Sequence, residues 1–463
     1  MEFGIITALL VVTIYVLLVI VLWKARVLEK LGVSAAGPLL MIRTKRGLRL
    51  IERLSGREHF WRRFGNVSLG ILVFFMILVT VVLIWEVPLA LRVPASAAPG
   101  PEMILGIPGI NPLIPIGYGI LALAIGIVVH EFAHGVLSRT AGVPVKSTGL
   151  LLFVVPIGAF VEPDEEALKK LPRRKRARMY AVGPASNLIL AFACAGIFSW
   201  GFMASTGPVE EGVVVTHVVK DYPAHSAGIP PWALITSIQL PNESAEQAVI
   251  RDEEGFSALM ARSHSGDNAT ITYLFRGERR TVHVLLADKY EYYKKYYNES
   301  NREEYRGRGF LGIGTMSADL LPTTLARPLK PDSLERFVAS AAYYISLPLF
   351  RLMPMESPVT DLYEVRGPLS VFPPQAFWLL ANTFYWLFWI NLMIGLTNCL
   401  PIPRLDGGMV YKDALERAME LLRPLWEARR REALATRIYI ATGLFVIFLI
   451  MWQFVGPRVG ALL

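Results

Sequence analysis

The chain has 463 residues, of which 53% are hydrophobic and 18% charged, with a mean hydropathy of +0.43. Those values exclude an ordinary soluble globule or a disordered chain and describe a membrane protein. The net charge of +9 arises from 47 Lys and Arg against 38 Asp and Glu, but the surplus cations cluster beside apolar runs, a pattern of contact with an anionic leaflet rather than with nucleic acid.

Taken in chain order, charge-free stretches occupy residues 3–23, 65–85, 103–129, 179–208, 367–403 and 438–457. Each reaches the roughly 20 residues that cross about 30 Å of hydrocarbon as a helix. Residues 1–92 therefore read as two spans, the first a retained anchor, joined by a loop with eleven cations (Lys24 to Arg63) and three acids. Residues 113–204 carry the third and fourth spans, with Lys169, Lys170 and Arg173 to Arg178 between them. A fifth apolar span ends within 367–408, and 409–463 hold Arg429 to Arg431 and a sixth span. The positive-inside rule puts 24–64, 140–178 and 409–437 in the cytoplasm, and 209–366 outside. The run 337–350 has 14 residues between Arg336 and Arg351, a length that predicts an interfacial or re-entrant helix within 335–355. Cys194 and Cys399 both lie in apolar runs, so no disulfide framework is expected.

The outer segment is long enough to fold by itself. Short β-rich runs at 213–215, 233–235, 269–273 and 281–286, with a helical pattern at 255–262, predict a small α+β domain over 209–318. Its run Tyr222-Pro223-Ala224-His225-Ser226-Ala227-Gly228-Ile229 resembles the turn and helix start of PDZ domains. Such domains bind peptides by strand addition, so docking or gating is the role that the resemblance implies. Of three Asn-x-Ser/Thr sequons in this domain, Asn268 is one and Asn242 and Asn298 are the others. The tyrosine-rich stretch 288–306 reads as an exposed linker.

The chemistry begins at His130-Glu131-Phe132-Ala133-His134, which follows the third charge-free run. Residues i and i+4 share a helix face, so two imidazoles present themselves to one Zn²⁺, with Glu131 placed as general base. Idle polar groups are costly at membrane depth, which favours a working site over two satisfied histidines. A catalytic zinc needs a third protein ligand, and Asp406 is the candidate. It ends Asn398-Cys399-Leu400-Pro401-Ile402-Pro403-Arg404-Leu405-Asp406-Gly407-Gly408, where two prolines interrupt the helix and two glycines allow close approach. Arg404 is unexpected there, next to a metal ligand. Topology adds a constraint: the third and fifth spans must both run inward for His134 and Asp406 to meet, so 337–350 must not cross.

Together with Gly183-Pro184-Ala185-Ser186-Asn187, these motifs resemble the site-2 proteases, zinc metalloproteases that cleave membrane-embedded substrates. The resemblance implies zinc, one ion per chain, on His130, His134 and Asp406, and water activation by Glu131. It also implies that Asn187 and Asn398 contact the substrate, the alternative being interhelical hydrogen bonding. A hairpin is expected over 150–161, and Gly158, Ala159 and Phe160 would offer an edge to an unfolded substrate. The fold expected is a mainly α-helical polytopic membrane protein of about six transmembrane helices, with a membrane-associated β-hairpin and an extracytoplasmic PDZ-like α+β domain. The expected partners are the bilayer and single-span regulatory proteins already trimmed by another protease, and the expected place is the cell membrane with the site toward the cytoplasm. A metal carrier and a non-catalytic scaffold are the competing classes; Glu131, and the lack of a visible inverted repeat, argue against the first.

Overall fold

A computed structural model describes residues 2–30, 33–45, 47–103, 106–153, 155–241, 248–297, 302–330 and 332–462. The chain divides into two compact units, one formed by residues 1–195 with 385–463 and the other by residues 196–384.

In the first unit, the opening apolar run forms α1 (Glu2–Lys24). The basic loop after it is not a plain loop. It folds into β1 (Val33–Ala36), β2 (Leu39–Thr44) and the short helix α2 (Leu48–Ser55) before α3 (Glu58–Ala90) begins. Next come α4 (Ile116–Thr140), β3 (Val145–Phe153), β4 (Val155–Pro163) and α5 (Arg173–Gly196). The expected hairpin is present as β3–β4, with Leu150 opposite Ala159 and Leu151 opposite Gly158. β2 extends it on the far side through the pairs Leu40–Leu152 to Thr44–Thr148, giving a four-stranded antiparallel sheet in the order β1-β2-β3-β4. β4 is thus an edge strand. α2 is amphipathic: Ile51 is wholly buried, against Gly135 of α4, while Arg49, Leu50 and Arg53 stay exposed.

The second unit has a β domain whose sheet runs β8-β7-β6-β5-β9, formed by β5 (Val213–Val218), β6 (Leu234–Gln239), β7 (Asn268–Phe275), β8 (Glu278–Leu285) and β9 (Ile313–Ser317). A short strand, Ala248–Val249, pairs with β6. Inward-facing Val213, Val215, Ile235, Ile238, Ile271 and Tyr273 fill one core with Phe256 and Leu259 of α6 (Glu253–Arg262). α6 starts where Asp252 accepts a hydrogen bond from the Gly255 N–H at 2.7 Å, an N-cap that sets the helix boundary. The stretch read as an exposed linker instead forms α7 (Lys289–Tyr297). Tyr290 is buried, and the Tyr292 ring lies 4.5 Å from that of Phe310 and 5.5 Å from that of Tyr222. Tyrosine rings bury large apolar area while their cationic neighbours reach solvent, so a charged-looking sequence packs as a helix. Of the sequons, Asn268 lies exposed on β7, while Asn242 and Asn298 fall outside the described residues. The 337–350 run forms α8 (Leu334–Ser346), whose 13 residues span about 20 Å.

α9 (Pro374–Cys399) returns the chain to the first unit, to which its residues from Tyr385 belong. α10 (Asp406–Leu422) and α11 (Ala428–Gly460) complete that unit. Among the described residues five helices are long and apolar enough to cross a membrane: Glu58–Ala90, Ile116–Thr140, Arg173–Ser205, Pro374–Cys399 and Ala428–Gly460. α1 contributes a shorter apolar piece, Thr13–Lys24. The molecule is a multi-pass membrane protein.

Candidate active site

Three helices of the first unit converge at Gly126, one turn before His130. A Cβ there would stand 2.9 Å from Asn391 Oδ1 on α9 and 3.4 Å from Asn187 Nδ2 on α5, so only glycine lets the three approach. α5 passes on beneath both histidines at Gly183. α9 stops at Cys399, the segment Leu400 to Leu405 doubles back, and α10 restarts at Asp406. Prolines 401 and 403 cannot continue a helix. Gly407 and Gly408 pack directly on the carbonyls of Cys399 and Ile402, where any side chain would collide. Arg404 also has its explanation. Its φ of 74° places it in the left-handed region, its N–H donates to Tyr439 Oη at 3.3 Å, and its side chain is exposed, away from the ligands.

These turns bring together His130 Nε2, His134 Nε2 and Asp406 Oδ2. The separations are 3.0 Å (His130–Asp406), 3.3 Å (His134–Asp406) and 3.2 Å (His130–His134). The other ring nitrogens fix the tautomers. His134 Nδ1 lies 2.7 Å from the Met179 carbonyl, which only accepts, so Nδ1 carries the proton. His130 Nδ1 lies 2.8 Å from Asn187 Oδ1, and the Asn187 amide is oriented by donating from Nδ2 to the Gly126 carbonyl (3.0 Å) and to Asn391 Oδ1 (2.9 Å). Both Nε2 atoms are left with lone pairs that face each other and a carboxylate oxygen. Three acceptors without a donor call for a cation. Tetrahedral zinc with bonds of roughly 2.0–2.1 Å would set its ligand atoms about 3.3 Å apart, close to the observed triangle. The residues therefore fit zinc, with the nitrogen and oxygen donors it prefers.

Glu131 leaves the ligands free and lies by the sheet, where its Oε2 accepts the Val161 N–H of β4 at 3.1 Å. Gly158, Ala159 and Phe160 precede Val161 on that edge strand. A cavity of about 860 Å³ opens beside it, with Phe160, Val161, Tyr180, Met409 and Asp413 in its wall. Asn187 is brought to the site, but as the partner of His130 rather than as a free group. Asn398 is not joined to the cluster; its Nδ2 donates back to the Ile394 carbonyl at 3.0 Å. α10 is tied to α5 by ion pairs from Arg173 and Arg176, the longest of them Arg173–Glu416 at 3.7 Å. Arg173 donates to both oxygens of Glu420 at 2.7 and 2.8 Å, and Arg176 grips Asp413 at 2.5 and 2.9 Å. Hydrogen bonds from Arg173 and then Arg417 hold the Glu420 carboxyl down to about 2. Because that pKa is depressed below the usual Glu value of about 4.3, the clamp is intact above it and weakens only as pH falls toward 2.

Asn391 is a residue behind the site that the sequence reading passed over. It is fully buried, its Nδ2 donates to the Leu387 carbonyl at 2.8 Å, and its Oδ1 orients Asn187. The signal was available, since an amide in a charge-free span is costly without a task. Asn391→Leu should weaken zinc binding by about 10- to 100-fold, the usual cost of losing an outer support of a ligand. Titration against a competing chelator measures this, and unchanged affinity would remove Asn391 from the support chain.

Two imidazoles and a glutamate on a candidate membrane span, with the Asp406 carboxylate at the start of α10, make the donor set of a metallohydrolase. A family model, peptidase family M50, matches residues 118–446. The chain belongs to that family, that of the site-2 proteases. It is 32% identical over 205 residues to uncharacterized protein MJ0971 of Methanocaldococcus jannaschii, covering 43% of this chain and 53% of that one, so this match spans about half of the relative's length. It is 22% identical over 360 residues to Metalloprotease MmpA of Caulobacter vibrioides, covering 64% and 85%. A relative from Clostridium acetobutylicum, 25% identical over 312 residues (64% and 80%), carries zinc metalloprotease in its name. Site and relatives agree on the class, a membrane zinc metalloprotease.

Proposed function

We propose that this protein is an intramembrane endopeptidase that hydrolyses peptide bonds in or near the transmembrane segments of single-span regulatory proteins, after a first cut has trimmed them. The observation that carries the reading is the position of the ligand triangle and Glu131 at the end of a candidate span, next to an open strand edge. Bound zinc would supply Lewis acidity to the scissile carbonyl and to the attacking water. The chain's own groups do the rest. Glu131 takes the proton of the attacking water on its carboxylate and delivers it to the leaving amide nitrogen. In an antiparallel ladder alternate residues present backbone groups to the same side, so Ala159 points its N–H and C=O where Val161 points its own. A substrate unwound from its helix would pair there and expose its amide to the site.

On this reading α1 is a sixth span and α8 lies in the interface, so that the site would face the cytoplasm and the β domain would lie outside, as the distribution of basic loops favours. That domain would dock the substrate. Its strand β9 is a sheet edge beside α6, over a cavity of about 190 Å³ walled by Phe256, Met260, Ile313, Lys289 and Arg308. Purified protein with a model single-span substrate should cleave within the transmembrane segment, stop when a chelator strips the metal, and resume on adding zinc. Metal transport across vesicles without any cleavage would overturn the reading.

A further inference from the structure

At the basic end of α3, His59, Arg62, Arg63 and Asn66 recur at helical spacing and share one face. That face meets α5 at Arg178, whose Nε donates to Asn66 Oδ1 at 2.7 Å. The helices come this close because residue 65 is glycine: a Cβ there would lie 3.1 Å from the Arg178 Cβ and 3.3 Å from Leu137 Cδ2. The five residues enclose a cavity of about 290 Å³ with no carboxylate in its wall. Glu58 reaches Arg62 at 3.6 Å from the exposed side, and Arg62 Nη2 lies 3.4 Å from His59 Nδ1. Among the described residues Arg63 and Arg178 have no carboxylate partner. Three guanidinium groups held around one small cavity repel each other until an anion joins them.

We propose that this cavity binds the phosphodiester headgroup of an anionic membrane lipid. Phosphate oxygens match the donor forks of arginine, several of which are turned to one space here. The lipid source follows from the surroundings. The cavity lies where α3 changes from charged to apolar, with Phe60 and Val67 exposed beside it and the charge-free run 65–85 beginning at the crossing. That border is the depth of a headgroup. Further along the same stripe of α3, an open groove of about 530 Å³ has Leu69, Val73, Ala177, Val410 and Ala414 on its apolar side, where an acyl chain would lie, and Arg173, Arg174, Asp413 and Arg417 on its charged side. The bound phosphate would bridge α3 to the first turns of α5, next to Met179, whose carbonyl holds His134.

The test uses the full chain, delipidated in neutral detergent, with phosphatidylglycerol, phosphatidylcholine or inorganic phosphate added in turn. Thermal unfolding and native mass spectrometry are read together. Phosphatidylglycerol should raise the Tm and remain bound as one retained lipid, while phosphatidylcholine at the same mole fraction should do neither. In Arg62→Gln/Arg63→Gln, both exposed positions, phosphatidylglycerol affinity should fall about tenfold or more, whereas Arg429→Gln/Arg430→Gln should leave it unchanged. Equal stabilisation by phosphatidylcholine, or full affinity in the Arg62/Arg63 variant, would overturn the site. Inorganic phosphate that reproduces the Tm shift and displaces the lipid would overturn the lipid assignment.

Discussion

Glu131→Gln should lower peptide hydrolysis by about 10²- to 10⁴-fold, the usual contribution of a positioned general base, while zinc content stays at about one ion per chain. The geometry separates the two readouts. The candidate ligand atoms are His130 Nε2, His134 Nε2 and Asp406 Oδ2, and each histidine is held from behind by a group other than Glu131. Glutamine has the shape of glutamate and its amide oxygen still accepts the Val161 N–H that now bonds to Oε2 at 3.1 Å. Strand β4 therefore stays in place, and only the ability to take a proton is lost. Initial cleavage rates and metal analysis on the same preparation check both halves. A variant within tenfold of the wild-type rate would remove Glu131 from the role of base.

Much of this site is legible in the sequence because membrane physics makes polar residues conspicuous. His130, His134 and Asp406 stand at the ends of charge-free runs, and the Pro and Gly residues around Asp406 announce the helix break that the structure contains. The β domain was readable for a similar reason, since alternation and turn residues mark its strands locally. What was not legible depends on long-range backbone pairing. β1 and β2 lie in a loop whose cations dominate its composition, and their union with β3 rests on main-chain hydrogen bonds that no side chain advertises. Asn398 is a different case. Its place in a motif suggested a substrate contact, but a helical asparagine is able to satisfy itself on the carbonyl four residues earlier, as it does on Ile394. Asn187 turns its whole amide to other helices, whereas Asn391 also donates from Nδ2 to the carbonyl four residues earlier, on Leu387, and reaches Asn187 with Oδ1 alone; Gly126 leaves room for the two amides to meet. The tyrosines of α7 were misjudged by counting charges, when the rings facing Tyr222 and Phe310 decide the packing.

Gly183→Ala should abolish high-affinity zinc binding even though it adds a single methyl to a residue that is no ligand. A Cβ at 183 would lie 2.7 Å from His130 Nε2 and 2.8 Å from its Cε1, and closer still to His134 Nε2, inside the distance real Cβ atoms keep. The imidazoles have little freedom to turn away. Their Nδ1 partners, Met179 and Asn187, lie on the same helix as Gly183, four residues before and after it, so rotating either ring to escape the methyl breaks its own support. The remaining response is for α5 to move off α4, but Gly126 and Gly65 mark close helix contacts on either side that resist it. Overpacking of this kind costs about 1–3 kcal/mol, and here it falls on the two ligand atoms directly. Zinc affinity, measured by chelator competition, should drop by about two orders of magnitude if the upper end of that strain is borne by the bound state, and cleavage should fail with it. Glu131→Gln would keep its metal under the same assay, so the pair distinguishes loss of the proton acceptor from loss of the ion. Gly183→Ala with affinity within threefold of wild type would mean that α5 yields easily, and that the close approach of Gly183 does not shape the zinc site.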